Sequence, residues 1–108
     1  MTTFKIKWSE LAKSNLKEIH DYIKYKKQAP QIATILKNAI LDEVKSLETH
    51  PERYPLEFYI NAFTHENYRF KTAKGRFKII YRVQNSDVRI IRIFHTSLDP
   101  KKLLNDLD

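Results

Sequence analysis

Residues 67–83 read NYRFKTAKGRFKIIYRV. Bulky apolar residues alternate with cations on both sides of Lys74 and Gly75, the period-two pattern of half-buried strands around a tight turn. The pattern predicts strands over 67–72 and 76–84, joined through TAKGR. A third strand follows the turn signal QNSD, over 87–96, so the three form an antiparallel meander. The hairpin carries Arg69, Lys71, Lys74, Arg76, Lys78 and Arg82 and contains no acid. Tyr68, Phe70 and Thr72 are expected to share a face with Phe77, Ile79, Tyr81 and Val83. Alternation then turns Arg69, Lys71, Lys78 and Arg82 to the opposite face.

Upstream, Phe4, Ile6 and Trp8 alternate with Lys5 and Lys7, which reads as a short strand. Ser9 is an N-cap candidate with Glu10 in the first turn. Leu11, Ala12, Leu16, Ile19, Tyr22 and Ile23 then recur at helical spacing, and the helix ends in KYKKQAP. Pro30 suits the first turn of a second helix. Its apolar face is Ile32, Ala33, Leu36, Ala39, Ile40, Val44 and Leu47, and it stops at THPERYP. The short joint between the two patterns makes them an antiparallel helical hairpin. LEFYINAFTHE, 56–66, reads as an aromatic-bearing loop over the core edge, with room for a short strand. DPKKLLNDLD, 99–108, reads as a short terminal helix with Asp99 as N-cap and Pro100 at its first position.

The order is β-α-α-β-β-β in one domain spanning 1–108. The fold class is α+β: the helical hairpin buries its apolar faces on one side of an antiparallel sheet, and the other side stays open. At 42% apolar residues the chain can build a packed core. A net charge of +7 favours an anionic partner, nucleic acid or an acidic protein. The charge is segregated along the chain. Residues 69–92 hold eight Lys or Arg and one acid, Asp87, whereas residues 34–66 hold three Lys or Arg and six acids.

The chain has no cysteine, which excludes disulfides and thiolate metal sites and fits a cytoplasmic home. The N-terminus has no apolar signal-peptide core and no run is long enough to span a bilayer, so no membrane partner is expected. There is no Gly-rich phosphate loop and no HExxH. His20, His50, His65 and His95 lack ligand spacing, so no metal or cofactor is expected. His20 and His50 read as structural or solvated, and His65 falls in the 56–66 loop. His95 ends the last strand in RIFHTS, where it can act as general acid or base or simply hydrogen-bond the strand end. Metal-free RNA cleavage needs a base, an acid and cations for the phosphate charge. Arg69, Lys71 and Lys78 can supply the cations, and His95 one of the proton-transfer groups.

Four pieces in order now stand out: FKIKWSELAKSNLKEIHDYI, LETHPERYP, YRFKTAKGRFKIIYRV and VRIIRIFHTSLDP. Together they make the chain resemble the RelE/ParE superfamily of toxins from type II toxin–antitoxin systems. The resemblance implies a two-helix hairpin on an antiparallel sheet and a cognate antitoxin whose flexible segment wraps the toxin. It implies one of two activities. RelE-type members are ribosome-dependent endoribonucleases that cut mRNA in the A site; ParE-type members poison DNA gyrase. Arg69 and Lys71 match the paired cations of the RelE strand, and Lys78 stands where those enzymes carry a phosphate-stabilising Arg. Leu98 and Leu104 fall where they carry a further Arg and a Tyr, a departure from the RelE-type pattern, and the two long helices, HPERYP and IIYRV…IRIFH look closer to the ParE side. If the chain is an enzyme, the resemblance makes it a metal-independent endoribonuclease. A third reading is a basic binding domain without toxicity. In every reading Arg69, Lys71, Lys74, Arg76, Lys78 and Arg82 are the candidate contacts to nucleic acid or target.

Overall fold

The computed structural model describes residues 3–64 and 66–97. The first strand, β1, is Lys5–Trp8, followed by helix α1, Glu10–Asp21, which runs on through a π-turn at Tyr22–Lys26. Helix α2 is Pro30–Ser46, a 3-10 turn covers Pro51–Arg53, and a short helix α3 is Phe58–Thr64. Strands β2, Arg69–Ala73, β3, Phe77–Gln84, and β4, Asp87–His95, follow. The terminal helix expected from Asp99 lies outside the described residues.

The sheet order is β1-β4-β3-β2. β2, β3 and β4 form the expected antiparallel meander, whereas β1 joins β4 in parallel, so the sheet is mixed rather than antiparallel throughout. Where β1 ends, α1 takes over the edge of β4. The Ser9 hydroxyl donates to the Ile91 carbonyl at 2.8 Å and accepts the Ala12 N–H at 3.0 Å, while Asn15 Oδ1 accepts the Ile93 N–H at 3.0 Å. The predicted N-cap therefore also anchors the helix to the sheet.

Helices α1 and α2 cover one sheet face. Ala12, Leu36, Ile40, Val44 and Leu47 pack there on Phe77, Ile79, Tyr81, Val88, Ile90 and Ile93. The face read as open is not bare. Ile60 of α3 packs on it with Tyr68, Ile80, Ile91 and Phe94, and Phe70 lies beside them. The doubled isoleucines, Ile79-Ile80 and Ile90-Ile91, supply one side chain to each cluster, so the central strands are apolar on both faces.

α3 replaces the loop expected over 56–66. Glu57 is buried and its carboxylate accepts the Ile60 N–H at 2.6 Å, capping the helix. Asn61 grips the backbone of Tyr68, accepting its N–H at 3.0 Å and donating to its carbonyl at 2.6 Å. The expected short strand survives as a single bridge between Leu56 and Arg69 along the outer edge of β2.

Candidate functional site

The cations of the opening hairpin do not share a face. Ala73 pairs with Phe77, Lys71 with Ile79 and Arg69 with Tyr81, so the turn is Lys74, Gly75 and Arg76. Placing Thr72 beside Phe77, as the sequence reading does, requires a four-residue turn. One residue fewer flips every side chain of β2 relative to β3. Lys74 and Gly75 both adopt positive φ, which tightens the turn. Tyr68 and Phe70 therefore belong to the second apolar cluster, and Arg69 and Lys71 lie on the helix-covered face. Lys78 and Arg82 lie on the opposite face, while Lys74 and Arg76 stand exposed in the turn.

Each strand cation of the hairpin has an internal partner. Lys71 Nζ lies 2.6 Å from Ser46 Oγ and 3.0 Å from a Glu43 carboxylate oxygen, at the C-terminal end of α2. Burial works against its charge, but hydrogen bonds to Tyr54 and Glu43 outweigh it and hold the ammonium above its ordinary range. In return, the hydrogen bond from Lys71 pulls the Tyr54 phenol below its ordinary range, against burial and with help from Arg53. Arg69 Nη1 donates to the Tyr54 carbonyl at 2.6 Å. On the other face, Lys78 Nζ pairs with Glu57 at 3.1 Å and lies 4.2 Å over the Phe70 ring. Arg82 pairs with Glu66 at 3.2 Å and lies over the Tyr68 ring.

Glu43, Glu57 and Glu66 all come from the acid-rich stretch 34–66. Much of the charge segregation along the chain is thus two halves of internal ion pairs. Arg69, Lys71, Lys78 and His95 do not converge on one point: Lys78 faces away from Arg69 and Lys71. His95 sits opposite Phe77 at the end of β4, edge-on to its ring at 5.6 Å. Its Nδ1 accepts the Ser97 N–H at 3.1 Å and lies 2.7 Å from the Ser97 hydroxyl. His20 contacts Asp21, and His50 takes a left-handed φ before Pro51. His65 lies outside the described residues. Among the described residues no group of three potential ligands gathers to hold a metal ion, and no helix is long and apolar enough to cross a membrane.

One apolar groove was not read from the sequence. A groove of about 780 Å³ lies between the end of α1, the start of α2 and the β2–β3 turn. Ile19, Tyr22, Ile23, Ile32, Leu36 and Phe77 line it, with Lys27, Arg76 and His95 among its polar members. Tyr22 is 54% exposed and Ile32 is 50% exposed, although helical spacing assigned both to the core. The signal was present in the KYKK run and Pro30. They bound the two helical patterns, and beside them Tyr22 and Ile32 stay half exposed. The groove can take an apolar stripe, and Lys27 and Arg76 favour acids beside that stripe.

The family model described as the ParE toxin of type II toxin-antitoxin system, parDE, matches residues 6–100. No curated protein matches this chain. Among solved structures, one from a chromosomal ParDE toxin–antitoxin system of P. aeruginosa has a TM-score of 0.68 at 22% identity, covering 86% of this chain and 96% of that one. One from the toxin–antitoxin complex RelBE2 of Mycobacterium tuberculosis has a TM-score of 0.60 at 17% identity, covering 91% of this chain and 97% of that one.

Proposed function

The chain belongs to the ParE toxin family of type II toxin–antitoxin systems, and on that premise we propose that it stops growth by binding and trapping DNA gyrase, without chemistry of its own. A cognate antitoxin holds it inactive by laying an acidic, amphipathic segment into the groove between Tyr22, Ile32 and Phe77. The observation that carries the binding reading is the failure of the nuclease set to converge. Lys78 is on the far sheet face and tied to Glu57, so it cannot share a phosphate with Lys71. An acid–base pair with reach to one scissile bond is not assembled among the described residues. The antitoxin reading is supported by the exposed apolar lining and the cations beside it, and by the toxin–antitoxin complexes whose folds this chain shares.

The test is purified toxin added to a gyrase supercoiling reaction and, separately, to translating ribosomes. Stabilised gyrase–DNA cleavage complexes with intact mRNA are the expected outcome. A-site mRNA cleavage would instead establish the ribosome-dependent endoribonuclease. Undiminished growth on expression without antitoxin, with neither effect in vitro, would leave a non-toxic binding domain.

A further inference from the structure

The sheet face turned away from α1 and α2 carries a row of cations that the hairpin alone does not reveal. Lys7 of β1 is in direct register with Arg89 of β4, and Arg89 with Arg82 of β3. Their strand neighbours Ile6, Trp8, Val88, Ile90, Tyr81 and Val83 all pack on the helix side, so the three cations project from the other face. Adjacent strands lie about 4.8 Å apart, and like charges directly opposite one another in a sheet are destabilising. Lys7 and Arg89 are exposed and have no ion-pair partner among the described residues, while Arg82 has Glu66 at one end of the row. Lys5 extends the patch one step along β1, opposite Asp87, the acid of this corner. The fold thus sets like charges on neighbouring strands in direct register where an alternating pattern would be more stable.

We propose that the Lys7–Arg89–Arg82 row is a docking surface for the phosphate backbone of duplex DNA. A line of cations at strand spacing offers several phosphates a counter-charge at once and releases their condensed ions. The row holds no exposed aromatic, and the neighbouring Tyr68 is 1% exposed, so no unstacked base has a ring to lie on. It also holds no apolar anchor of the kind an acidic protein partner uses. The surface is separate from the groove assigned to the antitoxin and does not depend on which enzyme the toxin traps.

The experiment is fluorescence anisotropy of a short labelled duplex DNA with the purified full chain across a salt series. Arg89→Gln and Lys7→Gln should each lower the slope of log affinity against log salt by about 0.9. Lys13→Gln, which removes the same charge from the exposed face of α1, should leave it unchanged. Arg89→Gln should keep or raise the thermal midpoint, because it relieves repulsion. Equal slopes in all four proteins would overturn the proposal. So would tighter binding of the single strand or of a polyglutamate peptide, or an Arg89→Gln loss of binding that tracks a loss of folding. Gyrase trapping without DNA binding would sink this inference and leave the target reading standing. DNA binding without trapping would do the reverse.

Discussion

Tyr81 ties two parts of the core that are distant in sequence. Its hydroxyl donates to the Pro51 carbonyl at 2.6 Å, and both residues are fully buried. The bond fixes the PERYP corner, which in turn places Tyr54 over Lys71. Burial drives the Tyr81 phenol far above its ordinary value. The unfolded chain therefore loses this proton first, and stability falls as pH rises above about 10. Tyr68, also raised by burial, acts in the same sense. Tyr81→Phe leaves the Pro51 carbonyl buried without its donor, which should cost about 1–3 kcal/mol at neutral pH. It should also flatten part of the alkaline loss, leaving the shares of Tyr68 and of Lys71, whose raised ammonium acts in the same sense. Urea denaturation from pH 7 upward checks both. A variant with the wild-type alkaline slope would show that Tyr81 does not carry it.

At the scale of elements, α3 is a helix made by its surroundings. Seven residues are too few to hold a helix in water. Glu57 caps it, and Asn61 fastens it to the start of β2. Glu57 is nearly inaccessible, while the Lys78 side chain is 23% exposed. Glu57→Gln should cost about 2 kcal/mol, below the ~3–5 for breaking a fully buried pair, because Lys78 can recover some water. Hydrogen exchange should show α3 losing protection while α2 keeps it; uniform loss would mean that Glu57 supports the whole core. The same scale explains why this element was illegible. Its apolar residues, Phe58, Tyr59, Ile60 and Phe63, are too few to set a period, and the groups that select the helix, Tyr68 and Lys78, are supplied by another part of the chain. The strands of the meander were legible because their alternation is local. Their relative facing was not, because it hangs on one residue of turn length.

Across the whole molecule the charges divide into three uses. Glu43, Glu57 and Glu66 neutralise cations of β2 and β3, so the hairpin's apparent one-sidedness is an internal pairing. Lys27 and Arg76 flank an apolar groove. Lys7, Arg89 and Arg82 form a row that crosses three strands. Because Ile32 is half exposed in the groove, Ile32→Glu should change folding stability by no more than about 0.5 kcal/mol. It should weaken antitoxin binding by about 2 kcal/mol, the scale of an anchor residue, or roughly 30-fold. Calorimetry with the cognate antitoxin decides; unchanged affinity would move the antitoxin site off this groove.

The sequence alone determined β1, the two long helices, the Ser9 cap, the Pro30 start, the meander and the likeness to RelE/ParE toxins, because each is written in neighbouring residues or in their order along the chain. Only the tertiary structure decided which cations face together. Strand pairing brings Lys7 from the distant β1 into register with Arg89 and Arg82 of the β3–β4 hairpin, while packing sets Lys71 and Lys78, both half-buried, against acids 28 and 21 residues upstream. A charge reads the same in sequence whether it meets a carboxylate or open water, and that difference is set by the fold.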